Sequence, residues 1–537
     1  MALHPSALLE PLGLTASFSI LIATWIAWKF WVFTARPFLY PSEVSVLPYH
    51  IPCKFIGHAV SMFKDTVGLY RYAEAYFGYS REPYSLCVAG QQLIVVTNPK
   101  HQEEIFKNND HYSFDPFINV VYHNVGKVST ADLNILWRKS SEGFVSLYPN
   151  PKQKVLVHTG LDLLHKQVLS PIPFQELVLK VGGLLEQYSR WESFTKSAVI
   201  HHAADSITKV VSLHRWCRDI TIGAQTDSFF GPLFAELQPD YTESYDQWDI
   251  NSWMATYQYP NFMAKAAYEP RERLIKTLVA YLDAPKEKRT GCVAYVNEVA
   301  DEMRHAGLGT EACARVLMII LWGVNSNVQM TSFWSMVHIV SDASLLSAIR
   351  NEISPLMSLA ERENDLESLR LGLMRSCPLL NSLFNEIIRF YNTGSSMRET
   401  VCATRIANKT IPKGTRIFLP QRHLLLDPEA FGEDAHTVNP YRFVQNKSLE
   451  KHGYYRPFGH GITQCTGKMI GRFEVLCFVA WAVWRYEFVV LSGTSKATKS
   501  KQGIQIPRID LKKPSLGMSK QVEGDDLVLQ IWKRIGV

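Results

Sequence analysis

A glycine-containing turn near the C-terminus, Phe458 to Gly467, constrains this chain more than any other stretch. It places Cys465 between glycines, and a segment with apolar, helical periodicity follows at once. The first N–H groups of a helix are unpaired and carry partial positive charge. A thiol at such a helix start has a lowered pKa and readily becomes a metal-binding thiolate. The turn therefore predicts a cysteine ligand presented to a flat, metal-containing cofactor.

Other residues of the turn suit the same role. Gly461 and Gly467 allow the backbone to approach a planar ring closely or to adopt positive φ. Phe458 is expected to shield the sulfur from water, and a dry environment tunes a metal ligand. A lone cysteine in a turn is nevertheless more often a small buried apolar residue. The ligand interpretation therefore depends on signatures elsewhere in the chain.

The composition favours one large folded body. Hydrophobic residues make up 47% of the 537 positions and aromatic residues 12%, which is ample for a core and too much for disorder. No Gly/Ser-rich linker, charge block or internal repeat divides the chain. The net charge of +6 is modest and dispersed, so no nucleic-acid partner is expected. Nine scattered cysteines without a Cys-x-x-Cys pair argue against disulfides and zinc and favour a reducing compartment.

An apolar segment at residues 12–33 has about the length that spans a bilayer. Three tryptophans and Lys29 lie toward its end, as is typical of a membrane interface. Because Lys29 and Arg36 follow while no Lys or Arg precedes, the positive-inside rule places the N-terminus in the lumen and the body in the cytosol. A cleaved signal peptide is the alternative, although it would need a basic start.

Four prolines follow the apolar segment at positions 37, 41, 48 and 52. Proline ends a helix and stiffens a linker, so this stretch is expected to act as a stiff hinge. The sequence is therefore divided into a membrane anchor (1–36), a proline-rich hinge (37–55) and a single large domain (56–537).

Two further patterns lie upstream of the cysteine turn. Glu386 and Arg389 stand at i and i+3 on one face of a predicted apolar helix, and Arg442 follows farther along. A lone Glu-x-x-Arg pair is usually a surface contact that stabilises little. A second predicted helix, residues 310–341, is apolar all round before polar residues interrupt it at 323–327, which indicates burial through the core.

Together these patterns resemble those of the cytochromes P450. Phe-x-x-Gly-x-x-x-Cys-x-Gly is similar to the heme-binding loop of that family, and the prolines are similar to the link of its membrane-bound eukaryotic members. The resemblance implies the cytochrome P450 fold, mainly α with small β-sheets, as a single large domain behind an N-terminal transmembrane helix. It also implies that Glu386, Arg389 and Arg442 lock together as a structural triad beneath the cysteine loop.

The polar interruption of the long helix resembles one branch of the family. Leu-Trp-Gly-x-x-x-Asn, ending at Asn327, is similar to the bile-acid sterol 7-hydroxylases and prostacyclin synthase. The family normally carries an acid–alcohol pair here that relays protons to bound oxygen, so the resemblance implies Ser326 and Asn327 as catalytic residues. The alternative role of Asn327 is a helix-bending core amide. We expect a fungal member of specialised metabolism.

The resemblance implies heme b as the cofactor, with Cys465 as the axial thiolate ligand and metal-binding residue of its iron. Phe458, Gly459, Gly461 and Gly467 are then the cofactor-binding residues of the loop around that sulfur. These assignments make the cysteine turn the centre of the expected site.

Further residues are expected at the heme propionates. Arg398, at the start of a predicted strand, matches a position that commonly pairs with a propionate. Trp137 belongs to a damaged Trp-x-x-x-Arg motif, since Ser141 stands where an arginine is usual. Thr463 replaces the basic residue often found two positions before the cysteine. His460 either helps in its place or is a satisfied loop histidine.

We therefore expect a membrane-anchored heme-thiolate monooxygenase that uses O₂. No Gly-x-Gly-x-x-Gly nucleotide motif occurs, so electrons must come from a partner, by resemblance an NADPH-cytochrome P450 reductase. Lys447, Lys451, Lys468 and Arg472 lie near the cysteine and could attract an acidic partner. The resemblance places the protein in the endoplasmic reticulum membrane, in contact with lipid, with a single span and a cytosolic catalytic domain.

The expected substrate is a lipophilic small molecule, most closely a steroid, triterpenoid or other terpenoid that is hydroxylated or further oxidised. Two alternatives remain at this point. One is a heme-thiolate isomerase or dehydratase that rearranges an oxidised lipid without external electrons. The other is a non-enzymatic heme protein that binds a ligand. Dependence on a reductase separates the first alternative, and turnover of any substrate separates the second.

Overall fold

The computed structural model describes residues 9–139, 145–202, 207–363, 365–493, 504–513 and 515–535. Within these ranges the chain is mainly helical with three small β-sheets, so the predicted fold class is confirmed. One large apolar core joins the helices to the four-stranded sheet, and two smaller clusters pack on the six-stranded sheet.

The helices, in chain order, are α1 (Leu9–Phe30), α2 (Arg36–Leu39), α3 (Ala59–Lys64), α4 (Thr66–Tyr76), α5 (Pro99–Lys107), α6 (Asp115–Asn124), α7 (Thr130–Leu136), α8 (Leu156–Leu169), α9 (Pro171–Tyr188), α10 (Leu213–Phe230), α11 (Leu233–Leu237), α12 (Tyr241–Thr256), α13 (Lys265–Asp283), α14 (Ala294–His305), α15 (Thr310–Val340), α16 (Ala343–Glu363), α17 (Leu366–Arg375), α18 (Pro378–Tyr391), α19 (Gln421–Leu425), α20 (Pro428–Phe431), α21 (Arg442–Gln445) and α22 (Lys468–Arg485).

The strands are β1 (Ser45–Val46), β2 (Tyr84–Val88), β3 (Gln91–Val95), β4 (Tyr112–Ser113), β5 (Val199–His202), β6 (Thr208–Ser212), β7 (Ser395–Thr400), β8 (Thr404–Ile406), β9 (Lys409–Ile411), β10 (Arg416–Pro420), β11 (Tyr486–Gly493) and β12 (Leu527–Lys533). The six-stranded sheet has the order β1-β2-β3-β10-β7-β4, the four-stranded sheet has the order β11-β12-β6-β5, and β8 pairs with β9.

Helix α15 crosses the core because its sequence is apolar on every side. Val316, Leu317, Met318 and Leu321 are all buried, as the apolar run predicts. The helix then becomes accessible at Gly323 and again one turn later, where it borders an internal cavity. One long helix therefore supplies both packing and the wall of a site.

Strand β7 differs from the prediction. Arg398 was expected at the start of a strand, but it lies in the middle of β7, which begins at Ser395. The antiparallel pairing of β7 with β10 explains the difference, because the register runs from Ser395 opposite Pro420 through Arg398 opposite Ile417. The ends of β7 are therefore set by its pairing with β10, a separate segment of the chain.

The N-terminal segment contacts the body near Tyr49 and His50. Ala16–Leu39 is long and apolar enough to cross a membrane, and none of its central window is buried in the protein. The indole N–H of Trp25 donates to the carbonyl of His50 at 2.7 Å, and the Trp28 ring meets Tyr49 edge to face at 5.5 Å. Helix α15 is also long and apolar, but 56% of its most apolar stretch is buried in the body.

This geometry predicts that the anchor can be removed without loss of the fold. Deleting residues 1–36 takes away the exposed apolar helix, and only a few contacts around Tyr49 are lost. We expect the remaining protein to bind heme and to be extracted from membranes without detergent, apart from weak peripheral attachment. A matched deletion of residues 1–15 leaves Ala16–Leu39 intact and should stay integral. If the protein lacking residues 1–36 stayed in the membrane after an alkaline carbonate wash, the prediction would be contradicted.

Candidate heme site

The cysteine loop connects strand and helix layers of the fold. The backbone N–H of Cys465 donates to the carbonyl of Phe458 at 2.9 Å, and the side-chain amide of Asn392 donates to the carbonyl of Pro457 at 2.9 Å. Arg456 pairs with Glu103 of α5 at 2.7 Å. The loop is thus tied to the ends of α18 and α5 before α22 begins.

The expected effect of the helix start on Cys465 is only partly present. The N–H of Gly467 does bond the sulfur, which lowers the thiol pKa. Burial acts more strongly in the opposite direction, so the net pKa of the Cys465 thiol is raised. The predicted lowering by the protein alone is therefore wrong, because desolvation cannot be read from the local sequence. A metal ion bound to the sulfur would favour the thiolate and so act against this desolvation.

Glycine is required at one position of the loop. Gly461 has a φ of +67°, and an added Cβ would lie 2.5 Å from the carbonyl oxygen of Phe106 in α5. Gly459 also has positive φ, whereas Gly467 does not. His460 packs edge to face on Phe106, and burial together with Arg456 lowers its pKa. These contacts press the loop against α5.

Arg398 is a buried cation above this loop. It is 1% exposed, lies between the Phe106 and Phe114 rings, and donates to the Met397 carbonyl at 2.7 Å and to the hydroxyl of Thr463. Its Nε has no acceptor among the described residues, and burial lowers its pKa to about 10. A guanidinium without a carboxylate partner at this point fits an incoming carboxylate such as a propionate.

Trp137 lies away from this cluster. Its indole N–H donates to the side chain of Asn119 in α6 at 2.9 Å, and its ring meets His158. Arg138 donates instead to the carbonyl of Ala306 at 3.1 Å. Ser141 lies outside the described residues. The role of Trp137 at a propionate remains a prediction.

A cavity of about 590 Å³ lies between α15, the six-stranded sheet and the C-terminal turn. Its walls combine apolar, aromatic and polar side chains from elements far apart in sequence. Representative lining residues are Phe63, Tyr70, Phe117, Trp253, Met397 and Leu516. Its size and mixed lining suit a lipophilic small molecule that carries a few polar groups.

Asn327 faces this cavity from α15. Its side-chain oxygen accepts the backbone N–H of Met518 at 2.9 Å. The approach is close: a Cβ on Gly517 would lie 2.1 Å from that oxygen. Asn327 is accessible and therefore is not a buried core amide. The contact fixes the amide while its NH₂ group remains available to the cavity.

Ser326 is bonded to a carboxylate that the sequence did not reveal. Its hydroxyl donates to Asp249 of α12 at 2.7 Å, and the indole of Trp322 donates to the same oxygen at 2.9 Å. Lys520 pairs with the other oxygen of Asp249. Asp249 of α12 thus places a carboxylate beside Ser326, a residue that the sequence analysis did not single out. The partners lie 77 and 271 positions from Asp249, so no local spacing could indicate them.

The structure brings Glu386, Arg389 and Arg442 together in full burial. Arg389 binds Glu386 through two parallel contacts of 2.7 Å, and Arg442 lies 3.2 Å from the same carboxylate. Arg389 also donates to the carbonyls of Leu425, Ala435 and Thr437. The cluster therefore joins α18 to the segment that leads into the cysteine loop.

These features fit a heme. Cys465 is accessible although protein desolvates its sulfur, which places it at an internal surface. Arg398 and Thr463 offer donors for a propionate, and Gly461 permits the close packing of the loop. When bound, heme supplies iron that activates O₂ for insertion into a carbon–hydrogen bond. The chain would hold it through Cys465 and Arg398.

A cysteine loop that leads into α22, a buried guanidinium that donates to this loop and a cavity bordered by α15 fit a heme-thiolate protein. The profile of the cytochrome P450 family matches residues 193–512, more than half of the chain. The chain belongs to the cytochrome P450 family, and it is a heme-dependent monooxygenase of that family.

Similar proteins come from fungi and animals. The cytochrome P450 monooxygenase poxD of Penicillium oxalicum is 23% identical over 466 residues, covering 85% of this chain and 89% of the relative. The cytochrome P450 monooxygenase nodJ of Hypoxylon pulicicidum is also 23% identical, over 478 residues and 85% of each chain. Prostacyclin synthase of Rattus norvegicus is 24% identical over 243 residues, 41% of this chain and 46% of the relative.

The site predicts a spectroscopic signature of thiolate ligation. The reduced protein with carbon monoxide should give the strongly red-shifted Soret band of a heme-thiolate complex. Cys465→Ala should lose that band because no other described cysteine lies in the loop. Cys402→Ala, a half-buried cysteine in another turn, is the matched control and should keep the band. An unchanged band in Cys465→Ala would show that a residue other than Cys465 is the iron ligand.

The triad predicts a large stability effect. Arg389→Ala removes the bidentate partner of a fully buried carboxylate and leaves three carbonyls without donors, so we expect a loss of about 3–5 kcal/mol in unfolding free energy. Arg370→Ala is the control: it breaks a Glu367–Arg370 pair of the same i, i+3 spacing that is partly exposed. That change should cost at most about 1 kcal/mol. Equal losses of unfolding free energy in Arg389→Ala and Arg370→Ala, measured by denaturant unfolding, would contradict the structural role of Arg389.

Proposed function

We propose that this protein is a single-pass, membrane-anchored monooxygenase that hydroxylates or further oxidises a steroid, triterpenoid or other terpenoid. The observation that carries the proposal is the cavity of about 590 Å³, which is bordered by Asn327 and whose walls are largely apolar and aromatic. Such a space accepts a rigid polycyclic lipid, and the polar side chains among the lining residues can anchor the polar groups of that molecule.

The similar proteins support the proposed type of reaction and its place in fungal metabolism. Both full-length fungal relatives, poxD and nodJ, are monooxygenases by name, and prostacyclin synthase matches part of the chain, in line with the motif at Asn327. We infer that the protein is a fungal enzyme of specialised metabolism. The residues that we propose as catalytic are Ser326 and Asn327, with Asp249 as the carboxylate behind Ser326.

Electrons are proposed to come from an NADPH-cytochrome P450 reductase in the endoplasmic reticulum membrane. Lys447 and Lys451 are exposed on the segment before the cysteine loop and are open to an acidic partner. Lys468 and Arg472 contribute less, because they are bonded to Gln464 and Asn381. We infer that the anchor helix and the hinge hold the catalytic domain at the cytosolic surface.

A second candidate, an isomerase that needs no external electrons, is favoured by one observation. The oxygen of Asn327 already accepts from Met518, so the amide has only one remaining lone pair with which to take a proton. A relay through Asn327 must therefore use that lone pair and a bound water. Cofactor dependence separates the two candidates.

The proposal predicts strict dependence on reductase, NADPH and O₂. Purified protein in lipid, supplied with a reductase and a panel of terpenoids and steroids, should form hydroxylated product only when all three are present. With ¹⁸O₂ the new oxygen atom should carry the label, whereas labelled water should not introduce it. Product formed at full rate without NADPH would favour the isomerase.

The same assay should include Asn327→Leu. Leucine cannot accept the Met518 N–H or hold a water, so product formation should slow and more NADPH should be consumed as peroxide. Asn327→Asp keeps an oxygen for Met518 and serves as the matched variant for the packing of Gly517. If Asn327→Leu retained both rate and coupling, the residue would have no part in proton delivery.

A further inference from the structure

Arg422 is a second buried cation without a carboxylate partner, and it lines the cavity. It follows β10, on the short helix α19, and is 7% exposed. Its Nη1 donates to the Phe390 carbonyl at 2.7 Å, whereas its Nε has no acceptor among the described residues. Burial, with the nearby charges of Arg71 and Arg389, lowers its pKa to about 10.

The other cations that line the cavity differ from Arg422 in having carboxylate partners. Lys520 pairs with Asp249, Arg416 lies 3.8 Å from Glu399, and Lys513 lies 3.6 Å from Asp510. The neighbouring His423 is 3.2 Å from Glu74. No carboxylate of the described residues lies within 4.0 Å of Arg422. This cation alone among them lacks a counter-ion within the described chain.

A helix-capping role does not account for this arrangement. The Phe390 carbonyl lies at the end of α18, where the partial negative charge of a helix favours a cation. That contact uses one of five N–H donors and offsets only part of a full charge. A buried guanidinium without a counter-ion is unfavourable, and its planar fork matches a carboxylate in two parallel contacts.

Arg422 and the region of Asn327 lie on one wall. The N–H of Gln421, next to Arg422, donates to the Gly394 carbonyl at 3.1 Å, and the adjacent Thr393 donates to Gly517 at 2.9 Å. Gly517 in turn packs on Asn327. Two hydrogen-bonded backbone steps therefore separate the unpaired cation from the proposed catalytic residues, within the same cavity.

We propose that the substrate carries a carboxylate, which binds Arg422 while the apolar body of the molecule extends along the cavity toward Asn327. This inference rests on the proposed function, since it names the chemical class of that enzyme's substrate. It parallels Arg398, whose unpaired guanidinium fits a carboxylate of the heme. Arg422 donates to the Phe390 carbonyl at the end of α18, whereas Arg398 donates to Thr463 of the cysteine loop, so we assign Arg422 a different anion.

The test compares acids with their methyl esters in binding to the full-length, heme-loaded protein. Abietic acid with methyl abietate, and lauric acid with methyl laurate, are the probes, measured by equilibrium dialysis at a pH of about 8, where carboxyl groups are ionised. In at least one pair the acid should bind about tenfold or more tightly than the ester. Acetate, which lacks the apolar body, should not compete at similar concentrations.

Variants assign the preference to Arg422. Arg422→Met should reduce the acid-to-ester ratio to about one, because the ester never used the charge. Arg416→Met, which removes another cavity cation that has a carboxylate partner, should leave the ratio unchanged. Arg422→Lys keeps a positive charge without the planar guanidinium and should retain part of the preference for the acid. This variant also provides a test if Arg422→Met folds poorly.

Several outcomes would overturn the inference. They are the absence of acid preference in both pairs, an unchanged ratio in Arg422→Met, an equal loss in Arg416→Met, or competition by acetate as strong as that by the acids. The binding result is independent of the reaction. Acid preference without NADPH-dependent oxidation of any probe supports the carboxylate site and counts against the proposed function. Oxidation of a probe without acid preference supports the proposed function and counts against the carboxylate site.

Discussion

The buried carboxylate of Glu386 is the interaction on which the site depends. A charge with no exposure is tolerated only when cations and hydrogen bonds surround it, and here Arg389, Arg442 and the N–H of Asn439 do so. Because Arg389 also holds three carbonyls of the segment after β10, the position of the cysteine loop is coupled to α18. Removal of any one partner leaves a buried charge, which makes the cluster an all-or-none connection.

The same electrostatic rule distinguishes structural from ligand-binding cations. Arg389 has its carboxylate partner, Glu386, within the chain. Arg398 and Arg422 are also buried but lack a carboxylate among the described residues, and both have pKa values lowered to about 10. One lies between aromatic rings beside the cysteine loop, and the other lines the cavity. We assign a heme propionate as the proposed partner of Arg398 and a substrate carboxylate as the proposed partner of Arg422.

Sequence reasoning succeeded where chemistry is local. The apolar run of α15 and the i, i+3 spacing of Glu386 and Arg389 each fix a feature within a few residues. It failed for quantities set by packing: the pKa of Cys465 depends on desolvation, and the position of Arg398 within β7 depends on pairing with β10. Asp249 and Arg422 were missed because their burial and partners arise from segments distant in sequence.

The contacts around Asn327 show how the branch-specific amide changes the site. A hydroxyl at this position could rotate freely, whereas the amide is held by the Met518 N–H and by the absence of a side chain at Gly517. The C-terminal turn is thereby fixed against α15, and Lys520 extends that connection to Asp249 of α12. Three separate segments are thus joined at the cavity wall by polar contacts. Because those contacts use the side chains of Ser326 and Asn327, the groups proposed for proton delivery also set the shape of the substrate space.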